Sequence, residues 1–397
     1  MSTTTSAAAA SALLGVYRPA EPVFVRGAGS WLIAEDGRRF LDFTSGIAVN
    51  ALGYGDPRIS SAIREALDTG LIHTSNLYRT RPAGELARWL ADRSFADRVF
   101  FCNSGAEANE GAIKFARRWA RATGGEEKLE IVAFGKGFHG RTMGALAATD
   151  RPDFQAPFRP LMGGVRFCDT GDIEGVRAAI HADRTAAVLI EPLQAEGGVR
   201  PVDPRFLARL RELCDEVGAL LLFDEVQVGL GRTGRLWAHE HAGVTPDIMT
   251  LAKPLAGGLP MGAVLLTERV AAEIRPGDHA TTFGGGPLVA AVALAVCEAV
   301  GDADALGTVV ELGRTLDDRL AAFALTSDRV RAVRGLGLIW GVELDGPSSA
   351  EVVARALDLG LLVCGAGPDV VRIVPPLTIT EDELQHGLGL LEAAVGC

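Results

Sequence analysis

Residues 220–234 read LLLFDEVQVGLGRTG, and residues 247–258 read DIMTLAKPLAGG. Each opens as an apolar run and ends on chemistry, with Asp224 and Glu225 closing the first and Lys253 the second. A buried strand gains nothing from carboxylates, and a lysine between Ala252 and Pro254 forms no helix surface. Both stretches therefore read as strands that point functional groups into a shared crevice, at the strand ends where open α/β sheets bind ligands.

The flanking sequence supports a sheet. VFFCNSGAEANEGAIKFARRWAR runs strand, turn, helix, and KLEIVAFGKGFHG is a strand ending in glycine-rich loops. AAVLIEP and ALLLFDEV are apolar strands with the helix DPRFLARLRELCDEVG between them, and GAVLLTE is a further strand. This alternation from about 99 to 266 predicts a mostly parallel sheet covered by helices. Upstream, ISSAIREALDTG and AGELARWLADRSF have helical periodicity. Residues 23–43 read as short strands around an AEDGRR hairpin turn. Residues 288–324 are helical, and the tail alternates VRAVRGLGLIWGVEL, a helix, LLVCGAG, VRIVPPLTIT and a last helix. The expected organisation is an N-terminal segment (1–60) packing with a small α+β domain (301–397), beside a large domain (61–300).

Composition excludes several classes. The chain has 397 residues, 48% of them hydrophobic, which suits a globular enzyme rather than a disordered chain. A net charge of −11 argues against nucleic acid or an anionic membrane surface as partner. The six cysteines form no CxxC pair, so reduced thiols in a cytoplasmic protein are expected, with no metal site. The start, MSTTTSAAAASALL, lacks the basic region of a secretory signal and reads as a frayed leader. No stretch reads as a membrane span.

Three features carry chemistry. In FCNSGAEANEGAIKF, Ser104, Gly105 and Ala106 would bring backbone N–H groups to a helix N-terminus, an anion site suited to phosphate. Alone, such a turn is compatible with being only a turn. In GKGFHGRT, Phe138 would stack on a planar group and Arg141 would meet a carboxylate. A solvated loop is the plain alternative. Asp224 and Lys253 are the third feature. A lysine in a cleft forms a Schiff base through its neutral amine, and a carboxylate beside a protonated pyridine nitrogen completes that chemistry. A helix cap for Asp224 and a solvent-reaching side chain for Lys253 explain each singly, but not why both stand at strand ends.

The sequence resembles the class III, ornithine-type aminotransferases of fold type I, which use pyridoxal 5'-phosphate. The resemblance runs from about Tyr17 to the last helix, through LDFTSGIAVNALGYGDP, FFCNSGAEANE, GFHGRT, EPLQAEGG, FDEVQVGLGRTG, DIMTLAKPLAGGLPMGA, TTFGGGPL, VRGLGLIWGVEL and VRIVPPLTIT. It implies that Lys253 carries the cofactor, that Asp224 pairs with the ring nitrogen, and that Gln227 donates to the phenolic oxygen. Phe138 would cover the ring, and Ser104, Gly105 and Ala106 would bind the phosphate. Thr282 would reach the phosphate across the interface of a homodimer with shared sites. Arg372 would grip the substrate α-carboxylate, with Glu196 as its switchable counter-ion.

The acetylornithine-type members are nearest. They imply transfer of the terminal amine of N2-acetylornithine to 2-oxoglutarate. Arg141 would take the distal carboxylate, while Ile47, in place of a tyrosine, would disfavour free ornithine. Asn76 and Tyr78 in HTSNLYRT match the same pattern. Succinylornithine, ornithine, 4-aminobutyrate and N-succinyl-diaminopimelate are the alternative donors, and an inactive structural homologue is the alternative of another class. Departures from the family pattern are Ala106 for threonine, Ala195 for glycine and Gly286 for asparagine. Nothing in the sequence explains Gly286.

Overall fold

The computed structural model describes residues 12–396. Most of the expected leader and Cys397 lie outside the described residues. Three short strands come first: β1 (Phe24–Ala28), β2 (Trp31–Ala34) and β3 (Arg39–Asp42). Helices Pro57–Asp68 and Arg81–Asp92 follow, each with proline in its first turn, where the missing N–H costs nothing.

The central sheet contains β4 (Arg98–Cys102), β5 (Glu130–Phe134), β6 (Val165–Cys168) and β7 (Thr185–Ile190). After a small hairpin of β8 (Leu193–Gln194) and β9 (Arg200–Pro201), the sheet continues with β10 (Leu220–Asp224), β11 (Ile248–Leu251) and β12 (Gly262–Leu266). Its order is β4-β12-β11-β10-β7-β5-β6. Strand β12 alone runs against the others, antiparallel to both β11 and β4.

Both faces of this sheet are apolar because both are covered. Ile131, Ala133, Ala187, Leu189, Leu220 and Leu222 pack against helix Gly105–Gly124 through Ala112, Ile113 and Ala116. The alternate residues Val132, Phe134, Val188, Ile190, Leu221 and Phe223 pack on the other face against helix Pro204–Val217, through Leu207, Leu210 and Cys214. The period-2 alternation thus sorts each strand onto two helical layers.

A second sheet joins β13 (Val330–Leu336), β14 (Ile339–Leu344), β16 (Cys364–Gly365) and β17 (Val370–Ile373) in the order β13-β14-β17-β16. Between them β15 (Leu361–Leu362) leaves to pair in parallel with β3, so the N-terminal strands close a sheet with the C-terminal part. Helices Pro287–Val300 and Ala303–Thr326 precede this region, and Glu381–Gly396 ends it. Among the described residues, no helix is long and apolar enough to cross a membrane. The five described cysteines are free.

Candidate active site

Strands β7, β10 and β11 end side by side. Phe223 is in register with Ile190, and Asp224 with Thr250, so Glu191, Asp224 and Thr250 share one edge of the sheet. A cavity of about 420 Å³ opens over that edge. Ser104, Gly105, Ala106, Phe138, Arg141, Asp224, Gln227 and Lys253 all line it.

The acid at the end of β10 is tightly held. Asn109 Nδ2 donates to Asp224 Oδ2 at 2.8 Å, His139 Nδ1 lies 2.7 Å from the same oxygen, and Val226 N donates to Oδ1 at 3.0 Å. Thr250 Oγ1 donates in turn to Asn109 Oδ1 at 2.8 Å, which fixes the amide orientation. Burial alone would make His139 less basic, but the Asp224 carboxylate outweighs it and shifts the ring above the ordinary histidine value. Glu225 faces elsewhere. It accepts from Ala238 N at 2.6 Å and from His239 N and Nδ1 at 2.8 Å each, closing the loop after the strand. The two carboxylates that end the apolar run therefore divide, one to the cavity and one to the scaffold.

Lys253 opens a short 3-10 turn beyond β11. Burial draws its pKa from 10.5 down to about 8; Glu196 opposes the drop and Arg372 adds to it. Across the cavity, Ser104 caps helix Gly105–Gly124 by accepting from Glu107 N at 3.2 Å. Gly105 and Ala106 open the helix and line the cavity, so the helix start, with its first-turn donors outside the helical ladder and the positive end of its dipole, borders it. Glycine is required at 105, because a Cβ there would lie 2.6 Å from Val226 Cγ1. Gly140, at φ +130°, lets the Phe138 loop close onto the same helix start, where a Cβ would meet Ala106 at 2.7 Å. The resulting slot fits a flat ring carrying a dianionic phosphate. In such a slot the helix end would take the phosphate and Asp224 a protonated ring nitrogen, with Lys253 lining the same cavity.

Arg372, on β17, is buried to 1% exposure, and its Nη1 donates to Glu196 Oε1 at 2.6 Å and to Gln227 Oε1 at 3.0 Å. Burial opposes the arginine's charge, but Cys364 and Glu196 outweigh it and hold the guanidinium protonated. Burial likewise pushes Glu196 up, yet Arg372 and Lys253 bring it below the usual carboxylate range. Gln227 was expected to meet a phenolic oxygen; here both ends of its amide engage this pair, with Nε2 3.4 Å from Glu196 Oε1.

Besides Glu196 and Arg372, which reach the cavity through Gln227, four expected residues are not brought to it. Thr282 is exposed on the loop after Thr281, whose carbonyl accepts from Asn76 Nδ2 at 2.6 Å. Asn76 and Tyr78 line a separate hollow with Gly285 and Gly286. Ile47 is 44% exposed and stands at φ +65° in a left-handed stretch from Ser45 to Ala48, rather than forming a wall of the cavity. Arg141 is at the rim, with its guanidinium 3.5 Å from the Phe154 ring centroid.

The sequence alone assigns no part to Asn109, His139, Glu191 or Thr250. Glu191 is buried and accepts from Phe138 N at 2.9 Å and Ala195 N at 3.2 Å. Burial raises its pKa; His139 pulls the other way and Asp224 adds to the rise. Its signal was present in AAVLIEP, an apolar run ending on a carboxylate just as LLLFD does.

A mixed sheet with an acid and a lysine at its strand ends, facing a helix N-terminus, is the architecture of the fold type I pyridoxal-phosphate-dependent transferases. The sequence model of the family Aminotransferase class-III matches residues 16–395, and the chain belongs to that family. It is 51% identical over 388 residues to the mitochondrial acetylornithine aminotransferase of Alnus glutinosa, covering 97% of this chain and 86% of that one. It is 44% identical to the acetylornithine aminotransferase of Methanocaldococcus jannaschii, covering 96% and 94%. Among solved structures, the ornithine aminotransferase of Toxoplasma gondii ME49 superposes with a TM-score of 0.93 at 30% identity, covering 98% and 93%. The N-acetylornithine aminotransferase of Stenotrophomonas maltophilia K279a gives 0.84 at 39%, covering 96% and 97%.

Proposed function

We propose that this aminotransferase moves the terminal amino group of N2-acetyl-L-ornithine to 2-oxoglutarate, giving N-acetylglutamate semialdehyde and glutamate, a step of arginine biosynthesis in the cytoplasm. The carrying observation is a single cavity with two kinds of site. Gln227, on its wall, links a lysine of lowered basicity and a braced aspartate to a buried arginine whose counter-ion, Glu196, is the more exposed of the pair. Relatives at 44–51% identity that carry the name acetylornithine aminotransferase support the choice of donor.

Bound pyridoxal phosphate supplies an aldehyde that captures amines and a protonated ring that accepts an electron pair. The chain supplies the rest. Gly105 and Ala106 would hold the phosphate through their N–H groups, with Ser104 at the same helix start. Asp224, fixed by Asn109 and His139, keeps a proton on the ring nitrogen. Phe138 covers one face and excludes water. The Lys253 amine takes the proton from the substrate carbon and returns it on the other side of the reaction, as a general base and acid. Arg372 holds the α-carboxylate of glutamate or 2-oxoglutarate after Glu196 yields its place. With the acylated donor, Glu196 stays on Arg372 and Arg141 receives the distal carboxylate.

The same reading makes the chain a homodimer in which Thr282 serves the partner subunit's phosphate site. Ile72, Leu77, Tyr78 and Phe283 are all more than half exposed on two segments tied through the Asn76–Thr281 bond, an apolar surface suited to a partner.

The test is a donor panel with 2-oxoglutarate, following glutamate formation. N-acetylornithine should give the highest kcat/KM among N-acetylornithine, N-succinylornithine, ornithine, 4-aminobutyrate and N-succinyl-diaminopimelate. Preference for ornithine or 4-aminobutyrate would overturn the assignment.

A further inference from the structure

Arg372 has a second neighbour that the chemistry above does not use. Cys364 and Arg372 face each other in register on the antiparallel strands β16 and β17. The guanidinium donates to the Cys364 sulfur through Nε at 3.4 Å and through Nη2 at 3.5 Å. An arginine has five N–H donors in a fixed plane. Two on Nη1 go to Glu196 and Gln227, while Nε and one on Nη2 go to sulfur. The sulfur thus occupies the side edge of the fork, formed by Nε and Nη2. The end edge, formed by Nη1 and the remaining Nη2 donor, adjoins the Nη1 group that Glu196 holds and is where a carboxylate can bind through two parallel bonds.

We propose that Cys364 is a positioning residue for substrate recognition: its sulfur blocks the side edge of Arg372, so that a substrate α-carboxylate binds only end-on, in the place Glu196 vacates. This deepens the reading above and rests on Arg372 being the α-carboxylate site. A thiol suits the task. It is a weak acceptor and so leaves the cation available to the substrate, yet it is large enough to exclude a carboxylate oxygen from that edge. Without it, a carboxylate has two competing docking edges and the reacting carbon loses its fixed register. Glu196-bound Arg372 is the form that meets the acylated donor, so that half of the reaction does not depend on the choice of edge.

The experiment compares Cys364→Ala and Cys364→Ser with wild type, all loaded with cofactor. Calorimetric titration with glutarate, an unreactive dicarboxylate, reads carboxylate binding without turnover. Separate half-reactions with glutamate and with N-acetylornithine give the kinetic split. Cys364→Ala opens the second edge, so glutarate should bind as tightly or more tightly, while the rate constant of the glutamate half-reaction should fall about five-fold because part of the carboxylate is held off register. The KM for N-acetylornithine should stay within about two-fold. Cys364→Ser, which restores an acceptor on the same edge, should recover most of the loss. Weaker glutarate binding in Cys364→Ala, equal losses in both half-reactions, or no recovery by serine would each overturn the proposal. Failure of the underlying reading looks different, since glutarate would then bind equally well to wild type and Arg372→Ala.

Discussion

A charged amine held in a cavity should be measurable as lost stability. The Lys253 amine falls from pKa 10.5 to about 8 chiefly because of burial. Below pH 8 it is protonated in both the folded and unfolded chains, and folding carries the whole cost of enclosing the charge. Between pH 8 and 10.5 the folded chain has released a proton that the unfolded chain retains, so stability rises with pH. Above 10.5 both forms are neutral and the cost is gone. At 1.36 kcal/mol per pH unit the full effect is about 3 kcal/mol. Lys253→Met removes the charge while roughly filling its space.

With cofactor stripped from both proteins, the methionine variant should therefore be the more stable at pH 7 by about 3 kcal/mol. The gap should close between pH 8 and 10.5. Urea unfolding followed by the fluorescence of the five tryptophans, at equal protein concentration, measures this. Titrating groups remote from Lys253 cancel in the difference, while Glu196, which Lys253 helps to hold ionised, does not. A variant no more stable than wild type at pH 7, or a gap that persists at pH 10.5, would refute the reasoning. The same shift has a chemical use. At pH 7.5 about a quarter of such an amine is neutral and nucleophilic, against about one in a thousand for a free lysine.

Four further outcomes follow from the geometry. Asp224→Asn places an amide where three donors converge and removes the charge on the ring nitrogen, so single-turnover proton transfer should slow by about 100-fold or more while cofactor binding weakens less; an unchanged rate would make Asp224 only a turn-former. Gly105→Ala pushes a methyl group into Val226 and tilts the phosphate-binding N–H groups, so equilibrium dialysis should show weaker cofactor binding, by about 1–3 kcal/mol, and unaltered binding would remove the helix start from the site. Glu196→Ala leaves Arg372 without its counter-ion and should favour the glutamate half-reaction over the acyl-ornithine one, whereas equal slowing of both would make Glu196 structural. Mixed dimers of Lys253→Ala and Thr282→Ala protomers, with subunit exchange shown by mass spectrometry, should regain activity above either parent; no gain would count against a shared site.

The local parts of the site were legible because each is set by a few adjacent residues. LLLFD announces a strand that ends on an acid, and NSGAEANE announces a helix start, whatever the rest of the chain does. Residues 99–266 could be read as alternating elements for the same reason: continuous apolar runs form strands covered on both faces. What could not be read depends on contacts between distant segments. Leu361 and Leu362 pair with Leu41 and Asp42, a join that no local period marks. The reversed direction of β12 is set by its neighbours in the sheet and not by its own residues. Asn109 looks like any polar residue on an amphipathic helix until that helix is laid against β10 and β11. The strained backbone at Ile47 is fixed by Asp42, which accepts from Thr44 N at 2.7 Å and Ser45 N at 3.1 Å, so the turn that points Ile47 outward is written in its neighbours.

The cavity also has to balance charge through a change of substrate, and its construction suggests how. Lys253 and Arg372 are neighbouring cations on either side of Glu196, and Arg372 makes the Lys253 charge harder to keep. Glu196 feels both and is drawn below the ordinary carboxylate range. It is the more exposed member of its pair, with 26% of its side chain accessible against 1% for the arginine. The cation is therefore the fixed element and the anion the movable one. A buried arginine stripped of any partner is costly, so exchange is favourable only when an incoming carboxylate replaces the departing one. A donor that reacts through a terminal amine brings no carboxylate to that place and leaves Glu196 where it is. On the proposed reading, glutamate would bring one and displace it. One pocket can thus accept two unlike substrates without ever leaving Arg372 uncompensated, because the side chain that can reach solvent is the one that moves.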